Sequence, residues 1–213
     1  MSAETTALIV ALAGVLGTLS ATLITQRAAF KVKQLESDDL QRERSDERDE
    51  AARQHTLQLK RDTFAALNTA ARRLRAMAHE ALLAREQGDD YDLAKLIELR
   101  TSYRDALGQA QMILSDRGLI MADEANDALA LVTGVARGDL RKLFPTAESF
   151  NEFRAWIDDP LVDSLRLLRR ALREELGVVP ESEDLLAERE RLAAKRLKIE
   201  ETLRPRWLDA WRD

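Results

Sequence analysis

The stretch TFAALNTAARRLRAMAHEALLAREQGDD, residues 63–90, decides the fold class. Phe64, Leu67, Ala71, Leu74, Ala78 and Ala81 recur in it at steps of three and four, and Leu57 stands seven residues before Phe64. With 3.6 residues per turn, that spacing gathers them into one seam on a helix. Gly88-Asp89-Asp90 ends the pattern with residues that stop helices. An isolated helix cannot bury such a seam, so partner helices must cover it.

Those partners follow in the sequence. A second helix, from about Tyr91 to Arg117, presents Leu93, Leu96, Ile97, Tyr103, Leu107 and Leu114, with Gly118 as its C′ residue. A third, about Ala122 to Arg137, carries Leu129, Val132 and Val135 and stops before Gly138. An aromatic helix starting near Thr146 holds Phe150, Phe153, Trp156 and Ile157. Asp159-Pro160 is an N-cap and N1 pair for the next helix, which closes at Gly177. Ser182 opens a last long helix that Pro205 interrupts before a short Trp207–Trp211 tail. No segment sustains period-two alternation, so the chain reads as all-α, an antiparallel helical bundle over residues 63–203.

Upstream, residues 27–62 hold nine basic and nine acidic residues, and between Ser37 and Thr56 only Leu40, Ala51 and Ala52 are apolar. This stretch reads as a solvated helical stalk, helped by i,i+4 pairs such as Asp49 with Arg53. Before it, Ala7 to Ile24 reads ALIVALAGVLGTLSATLI, eighteen residues without a charge. At helical rise the run is roughly 27 Å long, close to the hydrocarbon thickness of a bilayer. It is apolar all round, whereas a helix buried in a water-soluble domain keeps a polar face. A cleaved signal peptide would carry a basic n-region, but Glu4 is the only charged side chain before the run. Residues 1–26 therefore read as a transmembrane anchor. Arg27, Lys31 and Lys33 just beyond it place the N-terminus outside and the body in the cytoplasm of a single-pass plasma-membrane protein. Within the run, Ala13, Gly17 and Ala21 fall four apart, with Gly14 and Thr18 beside them. Small residues on one face let two helices approach closely, so this face predicts a homo-oligomer in the bilayer.

In Ala13–Arg27, AGVLGTLSATLITQR leads straight into an Arg/Glu-rich helix, and in this the chain resembles a loose class of actinobacterial single-pass membrane proteins. The likeness spans about the first sixty residues and consists of a small-residue span with a basic stop. It implies an anchored cytoplasmic helical domain and no activity. The layout is also similar to the b subunit of bacterial ATP synthases, with a short outer tail, one span and a long charged helix. The Gly- and Pro-punctuated bundle that follows departs from that pattern.

Chemical motifs are missing where catalysis would need them. His79-Glu80 begins an HExxH pattern, but position 83 is Leu and the second zinc ligand is lost. Two His and no Cys leave little with which to hold a transition metal, and no cofactor is expected. Neither a phosphate-cradling glycine loop nor a G-x-S-x-G elbow occurs. The acidic turn Gly88-Asp89-Asp90-Tyr91-Asp92 lacks the glycine that an EF-hand calcium loop needs at its sixth position and reads as a helix cap. A net charge of −5 argues against nucleic acid as a partner.

Two surface features carry binding chemistry. Arg166, Arg169, Arg170 and Arg173 share one helix face, opposite Leu161, Leu165, Leu168, Leu172 and Leu176. Four guanidinium groups in a stripe suit phosphate, anionic lipid or an acidic partner, and equally a solvated face paired with Asp163 and Glu174. In the tail, residues 204–213, Trp207, Leu208 and Trp211 fall on one side among arginines. Such a side fits a membrane interface, a docking peptide or plain packing on the bundle. The expectation is a non-enzymatic membrane-anchored scaffold or adaptor that contacts the bilayer, its own copies and an unidentified protein. The competing expectation is a membrane effector or regulator, of stress or phage-defence type, whose span oligomerises on a signal sensed by the bundle.

Overall fold

A computed structural model describes the backbone of residues 3–138 and 140–210, and the side chains of residues 41–138, 140 and 142–204. Its elements are α1 (Ala3–Gln87), α2 (Leu93–Gln111), α3 (Asp116–Arg137), α4 (Leu140–Leu143), α5 (Ala147–Asp158), α6 (Pro160–Glu175) and α7 (Leu185–Ala210). The described residues contain no strand, so the fold is all-α. The chain divides into two units, Met1–Thr56 and Leu57–Asp213.

In the first unit, residues 41–56 are helical and exposed throughout. Gln54 Nε2 donates to Glu50 Oε1 at 3.0 Å, and Thr56 Oγ1 donates to the Ala52 carbonyl at 2.9 Å. The expected Asp49–Arg53 pair does not form, because two fully solvated charges gain too little from each other to fix both side chains. Among the described residues no helix is long and apolar enough to cross a membrane. The run Ala7–Ile24, with its face of Ala13, Gly14, Gly17, Thr18 and Ala21, lies outside the residues whose side chains are described.

The second unit is a helical bundle. Phe64, Leu67, Ala71, Leu74, Ala78 and Ala81 are all buried, and with Leu82 they carry α1 into the main core. Leu57 is 42% exposed and does not join the seam, since no partner helix covers α1 there. Gly88 takes φ +81°, and the Asp89 N–H bonds the Ala84 carbonyl at 2.8 Å, which closes α1 as a left-handed cap. Asp92 then caps α2, its Oδ1 accepting from the Lys95 N–H at 2.8 Å, the role expected for the acidic turn.

The boundary between the next two helices differs from the sequence reading. α2 ends at Gln111, not near Arg117, and α3 begins at Asp116, six residues before Ala122. Ser115 caps α3 through an Oγ that accepts from the Gly118 N–H at 3.2 Å. Gly118 thus lies in the first turn of α3 and is no C′ residue. A β-carbon there would stand 2.8 Å from Glu175 Oε1 and Leu114 Cδ2, the ends of two flexible side chains that would have to shift to admit it. Leu93 and Ile97 are exposed on α2, while Leu96, Tyr103 and Leu107 are buried.

Thr146 caps α5, whose Phe153 stacks between Phe144 and Trp156 at centroid distances of 5.1 and 5.9 Å. Asp159 precedes Pro160 at the start of α6 as expected, but its side chain makes no cap bond. Its own backbone is helical, and its N–H still serves α5 by donating to Ala155 at 3.2 Å. Gly177, at φ +66°, closes α6. α7 begins at Leu185 rather than Ser182. It runs to Ala210, so Pro205 lies within the helix and does not end it; one missing N–H is tolerated there.

Candidate functional site

Helix α6 is buried on two sides. Leu161, Leu165, Leu168 and Leu172 enter the main core, while Leu167 and Ala171 pack with Met121, Leu185 and Leu192 in a second cluster. These two stripes leave one face free, and it carries Arg166, Arg169, Arg170 and Arg173, all exposed. The loop after Gly177 folds back beside that face. Val179, Pro180, Glu181 and Ser182 form the far wall of an open cleft of about 580 Å³, with the four arginines as its near wall.

The arginines are not equivalent. Arg170 is surrounded by acids, with Nη2 3.1 Å from Asp184 Oδ1 and longer contacts of 3.8 Å to Glu174 and Glu188. Arg166 pairs with Asp163 at 2.9 Å. Arg169 Nε donates to Asn68 Oδ1 at 3.4 Å, a bond to a neutral group that leaves its charge uncompensated. Arg173 has no hydrogen bond or ion pair through its side chain among the described residues. The cationic part of the cleft is therefore Arg169 with Arg173, while Arg170 holds the wall.

That wall is tied to α3. Arg117 donates to the Ser182 carbonyl and lies 3.6 Å from carboxylate oxygens of both Glu174 and Glu181. Glu175 accepts from the Ser115 hydroxyl and, at 3.0 Å, from its N–H. Ser182 Oγ donates to Asp184, and this bond, together with Arg170, holds the Asp184 carboxyl below the usual carboxylate range.

Two constellations escaped the sequence reading. Glu124 and Arg196, buried between α3 and α7, form a two-pronged ion pair with both contacts at 3.1 Å. Burial by itself lowers the pKa of the Arg196 guanidinium, but hydrogen bonds to Glu124 and Glu200 outweigh it and raise the value. The other group is Arg100, Arg104 and Arg137, which α2 and α3 bring around a cavity of about 250 Å³. Neither was legible because each joins residues from two helices; Glu124 and Arg196 are 72 positions apart.

His79 lies 3.6 Å from Asp158. Among the described residues no three His, Cys, Asp or Glu side chains gather as a metal site requires. The side chains of Trp207, Leu208 and Trp211 lie outside the described residues. In comparisons with known proteins, no protein-family model, no curated protein and no solved structure matches this chain.

Proposed function

We propose that the chain is a single-pass membrane-anchored scaffold or adaptor whose cytoplasmic bundle offers the α6 cleft to an acidic protein partner. The observation that carries the reading is the uncharged run of residues 7–24, eighteen residues long and followed by basic residues. A hydrophobic stretch of that length with Arg27, Lys31 and Lys33 after it is the pattern of a span with a cytoplasmic stop. Arg169 and Arg173, uncompensated beside a fixed wall, support recognition of carboxylates by the cleft.

Extraction of membranes at alkaline pH, followed by capture of partners, tests both halves. The full chain is expected to stay with the lipid pellet, and Leu12→Arg/Leu16→Arg to be released, since each central arginine costs about 2.5–3.5 kcal/mol of insertion free energy. Release of the unaltered chain into the supernatant contradicts the anchor. Proteins that co-purify with the unaltered chain should be lost from Arg169→Glu/Arg173→Glu. An unchanged set removes the cleft from the proposal.

A further inference from the structure

Arg100 and Arg104 stand one turn apart on α2, and Arg137 occupies the last turn of α3, so the two helices set three guanidinium groups around one cavity. Among the described residues no Asp or Glu lines it. In this it contrasts with the α6 cleft, where carboxylates already take up Arg166 and Arg170. Neither Arg104 nor Arg137 has a hydrogen bond or ion pair through its side chain among the described residues.

Arg100 carries the sharper signal. Its Cζ lies 5.6 Å from the centre of the Tyr103 ring, and Nη2 donates to Asn126 Oδ1 at 3.4 Å. Those contacts fix the guanidinium, yet Nη1 is shut off from solvent with no acceptor. Closed to solvent, that N–H is closed to a ligand as well, so Arg100 contributes its fixed positive charge while Arg104 and Arg137 keep their donors open. Burial and then the neighbouring Arg104 charge lower the Arg100 pKa, with Tyr103 and Asp127 opposing. Asp127 is itself engaged, 3.3 Å from Arg196. The hydroxyls on the walls are also committed, Thr101 to the Ile97 carbonyl at 3.1 Å and Thr133 to the Leu129 carbonyl at 2.7 Å. One effect works against an anion. The carbonyl end of α3 is nearby, and Arg137 in that same turn offsets it.

We propose that this cavity binds a phosphate group, with Arg104 and Arg137 as its donors, the fixed charge of Arg100 behind them, and the exposed Ile97 against the carbon portion of a small monoester. Guanidinium groups from two helices lining one cavity offer donors from more than one direction to a tetrahedral oxyanion, whereas a carboxylate is satisfied by a single fork. At about 250 Å³ the cavity falls below the usual range for drug-sized ligands and admits a phosphoryl group with a few further atoms.

Isothermal titration of inorganic phosphate into the full chain in detergent micelles, at constant ionic strength, tests it. Saturable heat is expected, weakened about a hundredfold in Arg104→Gln/Arg137→Gln, since each of the two charge-assisted hydrogen bonds contributes about tenfold. Both of those residues are exposed, so the variant keeps the fold. Arg48→Gln/Arg53→Gln, on the exposed stretch of residues 41–56, should bind as the unaltered chain does. Short-chain phosphatidic acid, titrated in the same way, separates the sources. Binding of it alone, lost in Arg104→Gln/Arg137→Gln, places the phosphate on a lipid headgroup, while binding of inorganic phosphate places it on a free ligand. Absence of saturable heat with both probes overturns the proposal. So does heat that survives Arg104→Gln/Arg137→Gln or that disappears in Arg48→Gln/Arg53→Gln.

Discussion

Replacing Arg196 by Met while leaving Glu124 in place should produce the largest single-site loss of stability among the polar residues of the bundle. Glu124 is 1% exposed, and both of its recorded hydrogen bonds come from Arg196. Arg196→Met leaves that carboxylate buried with no donor, a change that costs about 3–5 kcal/mol. The reverse truncation is milder. In Glu124→Gln the guanidinium keeps Glu200 at 2.6 Å and Asp127 at 3.3 Å, and the new amide can still accept one bond. Its cost should be about 1–2 kcal/mol. Removing both charges in Glu124→Leu/Arg196→Met takes away the orphan and should recover most of the loss. Thermal unfolding followed by tryptophan emission suits the measurement, because Trp156 lies in the main core. For a unit of this size each kcal/mol moves the midpoint by about 2–4 °C, so Arg196→Met should fall by about 6–20 °C. The reasoning fails if Arg196→Met melts no lower than Glu124→Gln, or if the double variant is no more stable than Arg196→Met.

Glycine substitutions should split by position in the same melting assay. Gly118→Ala pushes the Glu175 carboxylate and the Leu114 side-chain end aside, loosening the Ser115–Glu175 bonds, and should lose at most about 1 kcal/mol. Gly108→Ala meets nothing within 4 Å inside α2 and should gain about 0.5–1 kcal/mol. At Asp184 the folded-state pKa lies below 3.8, so its contribution to stability is in place above that pH and lost as pH falls through the folded value. A carboxyl NMR titration should show this, and Ser182→Ala should move the midpoint upward. In the anchor, Gly17→Ile fills the small-residue face and should reduce cross-linked dimers of the full chain in membranes, as measured by gel mobility after cross-linking.

Where one helix carried the whole pattern, the sequence was enough. The seam from Phe64 to Ala81 is buried as its spacing requires, and the arginine stripe of α6 shares one face because four residues at helical spacing must. Errors fall at junctions. Leu114 continues the apolar pattern of α2, so the break before it is visible only in Ser115, whose hydroxyl holds the Gly118 N–H and starts a new helix. Gly118 looks like a stop because glycine often ends helices, but it lies in the first turn of α3, where its N–H is held by the Ser115 cap. Helix α4, a single turn, is too short to show a period. Leu57, Leu93 and Ile97 fit the periodicity yet lie exposed, since spacing shows which side a residue faces and not whether another helix covers it. The Arg100–Arg104–Arg137 cavity and the Glu124–Arg196 pair depend on packing between helices, which no local pattern encodes.

Protease protection of intact and lysed spheroplasts, with a tag at the C-terminus of the full chain, tests whether the chain is anchored with its bundle facing inward. An anchored protein with an inward-facing bundle keeps its tag while the inner membrane is sealed, remains in the membrane fraction, and loses the tag only on lysis. A tag cleaved in intact spheroplasts, or a chain found free of the membrane after lysis, contradicts it.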